Sequence, residues 1–226
     1  MSDLVVSASV WVTVRTSATH FGADETVSVD EPSETELVRL RDGSSVGIRR
    51  ARSEDEPALR SFLEGLCLEA RRLRFFTGAM DIDEAAHWAA STGTDRCGLL
   101  AHDETGMLVG HASYIQLGEA RAEVAVEVAD HLHGRGLGTV LIERLAAIAE
   151  RRGITHFVAE VLCENRAMLD VFRDGFDARV VRHDGPEERV EFLTSGWRLA
   201  RARFAGHDDR GSREIAGGRR AAAGER

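Results

Sequence analysis

The chain has 226 residues and no lysine: all 29 basic residues are arginine, set against 38 acidic ones. The formal net charge is −9. That argues against nucleic acid as a partner, because affinity for a phosphate backbone rests on clustered positive charge. A GC-rich coding sequence, in keeping with the abundant Ala, Gly and Asp, accounts for arginine in place of lysine. Cysteine is also scarce. Cys67, Cys97 and Cys163 are odd in number and far apart, which excludes a disulfide framework and a zinc site. Each sits in an apolar context, so all three read as buried free thiols of a cytoplasmic protein, and no metal is expected. Tyr114 is the one tyrosine. No long hydrophobic run is present: Leu4–Val14 is too short to span a membrane, and Asp3 stands where a signal peptide carries basic charge. No membrane partner is therefore expected. No repeat is visible.

The most informative stretch present is His131–Gly153, HLHGRGLGTVLIERLAAIAERRG. Gly134, Gly136 and Gly138 alternate with His133, Arg135 and Leu137, and then Val140, Leu141, Leu145 and Ile148 recur at helical spacing. A glycine-rich loop running into a helix exposes backbone N–H groups at the positive end of the helix dipole, an arrangement suited to phosphate or pyrophosphate. Arg135 can add a charge-assisted hydrogen bond. Such a loop is equally often plain punctuation, but what precedes it is a strand: Ala122–Val128, AEVAVEV, has one valine face and one face with Glu123, Ala125 and Glu127. No Gly-Lys-Ser/Thr follows, so this is not a nucleotide P-loop, and Gly-x-Gly-x-x-Gly of dinucleotide folds is absent too.

The rest of the chain divides around this unit. Residues 1–45 hold many acids and few large apolar groups after Phe21 and read as a poorly ordered leader, with Val5–Val14 able to form a strand if it finds a partner. A domain spans 46–197, and 198–226 is an Arg-, Gly- and Ala-rich disordered tail. Within the domain, Val46–Ala51 reads as a strand and Ser53 as the N-cap of a helix reaching about Leu66, with Pro57 near its start. Glu69–Phe76 and Asp83–Ser91 are further helices. Cys97–His102 and Met107–Gln116 form a hairpin. After the glycine-loop helix come a doubly buried strand, Phe157–Leu162, and a helix, Glu164–Asp174, with Ala167, Met168, Val171 and Phe172 inward. Strands Phe176–Val181 and Glu188–Thr194 close the domain.

The loop resembles the acyl-CoA-binding motif of the GCN5-related N-acetyltransferase (GNAT) superfamily, Gln/Arg-x-x-Gly-x-Gly/Ala after a β-strand. Gly136 and Gly138 match it, and His133 stands at the Gln/Arg position. The resemblance covers about Val38–Ser195. VRLRDGSSVGIRRARSEDE, EARRLRFF, AEVAVEV and VAEVLCENRAMLDVF are similar to bacterial, actinobacterial-type protein lysine acetyltransferases. It implies an α/β fold: a central mixed, twisted sheet of about six or seven strands flanked by helices. It implies acetyl-CoA as co-substrate and a protein acceptor with an exposed lysine, by resemblance an acyl-CoA synthetase such as acetyl-CoA synthetase, which acetylation inactivates. His133, Gly134, Arg135, Gly136, Leu137, Gly138 and Thr139 would hold the pyrophosphate. Backbone groups at Val126 and Val128 would pair with the pantetheine arm where the strand splays at a bulge, and Asn165 would bond the same arm. Glu123 is the expected general base, since a lysine ammonium with a pKa of ~10.4 must lose a proton before attack. Glu127 is its reserve, with Glu160 and His111 weaker; His111 reads rather as structural. Phe172 stands where many relatives carry the tyrosine that protonates the departing thiolate. Two other readings stay open: a small-molecule amine or antibiotic N-acetyltransferase, and a non-catalytic acyl-CoA sensor, for which a retained Glu123 would be superfluous.

The missing lysine gives a first prediction. Arginine stays protonated and is a poor nucleophile. The untagged chain, held with excess acetyl-CoA, is expected to gain no side-chain N-acetyl group. Intact mass and peptide mapping check this. Stoichiometric acetylation at an internal site would point instead to an acyl-enzyme on one of the three thiols.

Overall fold

The computed structural model describes residues 35–76 and 81–198. The proposed leader strand Val5–Val14 and the tail beyond Arg198 lie outside the described residues. Eight strands form one sheet in the order β1-β2-β3-β4-β5-β6-β8-β7. The strands are β1 Glu36–Arg39, β2 Ser45–Arg50, β3 Arg96–His102, β4 Leu108–Gln116, β5 Arg121–Val128, β6 His156–Leu162, β7 Arg179–Asp184 and β8 Glu187–Leu193. The helices are α1 Glu56–Gly65, α2 Leu68–Phe75, α3 Ile82–Ala90, α4 Leu137–Arg151 and α5 Arg166–Phe176. The sheet is mixed, β5–β6 being the parallel pair among the described strands.

Strand β1 is the eighth strand, one more than the sequence suggested, and it falls inside the stretch read as leader. Leu37 is exposed on it, Val38 and the adjoining Leu40 pack on the core, and polar ties add to their hold. Glu36 accepts from Arg144 of α4 at 2.6–3.0 Å, and the β1–β2 turn is tied to the glycine loop by Arg135–Asp42 at 2.5 Å. Composition gives no signal for such pairings across the fold. Ser53 is not a helix cap either. A short 3₁₀ turn, Ser53–Asp55, precedes α1, and Asp55 organises it by accepting from the Arg52 N–H at 2.8 Å and from Arg49 at 2.6 and 2.8 Å. A nearly buried aspartate with a bidentate arginine makes a stronger corner than a serine cap would.

The alternation of β5 builds the two layers. Ala122, Val124 and Val126 are buried against α4, together with Leu141, Leu145 and Ile148 of its apolar stripe. Helix α5 packs on the same face. Its buried stripe is Leu169, Phe172 and Phe176, with Met168 and Val171 half-buried against the core as expected; of the four residues expected inward, Ala167 alone is exposed. Phe192 of β8 meets Phe157, Phe172 and Phe176 with ring centroids 5.8, 5.1 and 5.2 Å away. Phe176 belongs to α5 and not to the following strand. Helices α1 and α3 cover the opposite face through Leu59, Phe62, Leu63 and Ala86.

Helix α2 is short and carries one buried residue, Phe75. Its anchor is electrostatic. Arg74 pairs with Glu127 of β5, whose other oxygen lies 2.9 Å from His111 Nδ1 on β4. Glu127 and His111 are buried, which bears on two expectations: His111 is a structural histidine, and the reserve base Glu127 has both oxygens occupied. Burial by itself raises the Glu127 carboxyl, but the Arg74 guanidinium and the His111 ring overcome it and hold it down at about 2. Breaking a buried pair leaves an uncompensated charge and costs about 3–5 kcal/mol. Glu127→Ala should destabilise the domain by about that amount near neutral pH. A carboxyl lowered on folding contributes stability that is complete above its unfolded value of ~4.3 and vanishes as pH falls through the folded one. The gap in urea midpoint between wild type and Glu127→Ala should therefore close between about pH 4 and about pH 2. A gap unchanged across that window would refute the assignment.

Candidate active site

The parallel ladder between β5 and β6 has three registered pairs, Arg121–His156, Ala122–Phe157 and Glu123–Val158. Beyond Glu123 the strands part. On its other edge β5 stays paired with β4 from Ala122 to Val128 without a register shift, so no bulge interrupts it. The expected bulge is thus absent, the splay is made by β6 leaving, and Glu123, Ala125 and Glu127 keep one face.

The ladder also fixes which backbone groups enter the gap. The Leu117 N–H donates to the Arg121 C=O, and the Ala129 N–H donates to the Val109 C=O. In an antiparallel pair, hydrogen-bonded and non-bonded residues alternate. The odd-numbered residues of β5 therefore bond to β4, and the N–H and C=O of Val124, Val126 and Val128 point toward the gap. His133 Nε2 lies 2.9 Å from the Val128 C=O, to which it donates, so this ring closes the end of the strand onto the loop.

The gap opens into a cleft of about 850 Å³. The sequence-derived residues Glu123, Val126, Val128, His133, Gly134, Arg135, Gly136, Leu137, Gly138, Thr139 and Asn165 all line it. Gly134 and Gly136 have φ of 75° and 88°, which turn the chain into α4. The first-turn amides of Leu137, Gly138 and Thr139 have no carbonyl four residues back inside the helix, and all three residues line the cleft. A Cβ on Gly138 would meet nothing nearer than Val128 Cγ2 at 3.8 Å, so the fold leaves its space to the cleft. Asn165 Oδ1 accepts from the Met168 N–H at 3.2 Å and caps α5, which leaves its amide N–H₂ as the group able to serve the cleft. Helix start and cleft residue are here one and the same.

Other positions are settled by contacts. Arg135 is paired with Asp42, and its C=O accepts from the Arg41 N–H at 3.2 Å. Arg39 and Arg41 thereby join the rim of the loop, and the sequence reading missed both because nothing local links the β1–β2 turn to a loop 93 residues away. Leu66, Ala70, Leu73, Arg74 and Phe76 form the wall along α2. Glu160 is paired with Arg189 at 2.5 Å. Phe172 lines the cleft and carries no hydroxyl. Tyr114 does not substitute for it: it is buried elsewhere, its hydroxyl accepts from Arg152 at 3.1 Å, and burial pushes the phenol up to about 12. Cys97 is buried as expected, but Cys67 is exposed at the start of α2 and Cys163 is half-buried. Among the described residues no helix is long and apolar enough to cross a membrane.

Comparison with known proteins agrees with this geometry. The Acetyltransferase (GNAT) family model matches residues 67–176. An acetyltransferase of Pseudomonas aeruginosa is 31% identical over 145 residues, 58% of this chain and 74% of the relative. The GNAT domain of PAT from S. lividans superposes with a TM-score of 0.64 at 32% identity, covering 70% of this chain and 96% of that one. A Salmonella typhimurium protein solved with its cofactor acetyl-CoA shares the fold at 21% identity and a TM-score of 0.52, with 66% and 94% of the two chains covered. The cradle of the open Gly134 and Gly138, the first-turn amides and the part of β5 that β6 leaves fits that cofactor, and the chain belongs to the GNAT acetyltransferase family, with acetyl-CoA as its acyl donor.

Proposed function

We propose that the chain is a protein lysine N-acetyltransferase, that its acceptor is an exposed lysine of an acyl-CoA synthetase such as acetyl-CoA synthetase, and that it works in the cytoplasm. The observation that carries the chemistry is the place of Glu123, the last residue of β5 still registered with β6. Its half-buried carboxylate sits at the fork of the cleft. The motif resemblance and the 32% identity to the S. lividans PAT domain support a protein acceptor.

Acetyl-CoA supplies an activated thioester when bound. The amides of Leu137, Gly138 and Thr139, with Gly134, Gly136, Arg135 and the His133 loop, hold the pyrophosphate. The outward backbone groups of Val126 and Val128 and the amide of Asn165 hold the pantetheine arm, and a β5 N–H polarises the thioester carbonyl. Glu123 takes the proton of the incoming ammonium, directly or through one water. Phe172 offers no proton to the leaving thiolate, which either takes one from solvent or leaves unprotonated.

Two variants separate chemistry from binding. Glu123→Ala should keep acetyl-CoA affinity and lose about 10²–10⁴-fold in transfer rate. Near-normal turnover at all pH values would sink the assignment. Gly138→Val should stay folded and lose acetyl-CoA binding, because its side chain fills space the phosphates need. Unchanged calorimetric affinity would contradict the role of the loop. The acceptor is tested by turnover on a panel of acetyl-CoA synthetase, a histone-like protein and small amines. The synthetase should be preferred, and transfer confined to small amines would replace this reading.

A further inference from the structure

Cys163, twenty residues before His183, converges with His183 and Glu188 of the β7–β8 hairpin at the end of the sheet. One ligand atom from each, Sγ, a ring nitrogen and a carboxylate oxygen, falls within 4.8 Å of the others. Three elements create this meeting. Cys163 follows β6, and its N–H donates to the Pro186 C=O at 2.8 Å, so the tip of the β7–β8 hairpin is fastened to it. Glu188 is registered with Val161 of β6 on one side and with His183 of β7 on the other. The third element is the irregularity between Val180 and Arg182. Continuing the Val180–Val190 register would set Arg182 opposite Glu188. The extra residue in β7 sets His183 there instead.

The geometry points to a zinc site made by Cys163, His183 and Glu188, independent of the acetyl-transfer cleft. His183 Nδ1 and Glu188 Oε1 are 3.4 Å apart. This is longer than the ~2.7–3.2 Å of an N–H···O hydrogen bond. It matches the edge of about 3.4 Å between nitrogen and oxygen ligands on a tetrahedral zinc with bonds of ~2.0–2.2 Å. A thiolate and a carboxylate together neutralise a divalent cation, and a thiolate with an imidazole favours zinc over magnesium or calcium. Cys163 and Glu188 are half-buried and His183 is exposed, so a cation can enter from solvent, and three protein ligands would leave the fourth tetrahedral position to water. Occupancy would tie the β7–β8 hairpin to the chain just before Asn165, the cap of α5.

The test uses the untagged, reduced, metal-stripped full chain titrated with Co²⁺ and then Zn²⁺. One equivalent of Co²⁺ should give a thiolate-to-metal charge-transfer band and the intense visible bands of tetrahedral cobalt, both displaced by Zn²⁺. Cys163→Ser should abolish the charge-transfer band, and His183→Ala should weaken affinity about tenfold or more. Cys67→Ser, which alters the exposed thiol on α2, should change neither. Zn²⁺ should raise the melting temperature of wild type and not of Cys163→Ser. His183 is exposed, so its variant keeps the test valid if Cys163→Ser folds poorly. Absence of a thiolate band in wild type, or its persistence in Cys163→Ser, overturns the site.

Discussion

The constraint on which the structure depends is that β6 accompanies β5 for three residues and then departs. A strand edge left unpaired inside a domain is costly unless something bonds to it. Here the parting yields a cleft whose walls are a strand edge on one side and the N-terminus of α4 on the other, both rich in donors. The fork places Glu123 at the vertex, and the even-numbered residues of β5 point their backbone into the gap. The residues proposed to bind the donor and to accept the proton thus come mostly from one eight-residue strand and the loop that follows it.

With no lysine in the chain, arginine makes the long-range ties. Arg49–Asp55 builds the corner before α1, Arg74–Glu127 docks α2, and Arg144–Glu36 and Arg135–Asp42 bring the first hairpin down onto α4 and the glycine loop. These contacts are unequal. The exposed pairs add little stability each, whereas the buried Arg74–Glu127–His111 set is costly to break. Its geometry explains why the two glutamates on one face of β5 differ so much. Both line the cleft, but Glu127 is a buried anion tied to Arg74 and His111, whereas Glu123 is half-buried at the fork.

The departure at Phe172 is likewise a matter of surroundings. Its ring is committed to the cluster with Phe192 and lines the cleft at the same time. The lone tyrosine is held by Arg152 in another part of the core. Neither side chain therefore places a phenol hydroxyl at the position of Phe172.

Much of this was legible in the sequence because its causes are local. Alternation in AEVAVEV, helical spacing in α4 and the glycines between them need only neighbours a few residues away. They determined the strand–loop–helix unit, the family resemblance and the residues that line the cleft. What escaped depends on pairs distant in sequence. Strand β1 is held by arginines about a hundred residues on, a distance over which periodicity carries no signal. Leu169 and Phe176 join the inward face of α5, where Phe172 and Phe176 meet Phe192 of a strand later in the chain. Glu123 and Glu127 look equivalent by alternation, and only the approach of Arg74 and His111 divides their roles. The meeting of Cys163, His183 and Glu188 likewise has no signature in the order of the residues. One extra residue in β7 slides His183 opposite Glu188 beside Cys163, and register between strands is set by the folded sheet, not by the order of residues along it.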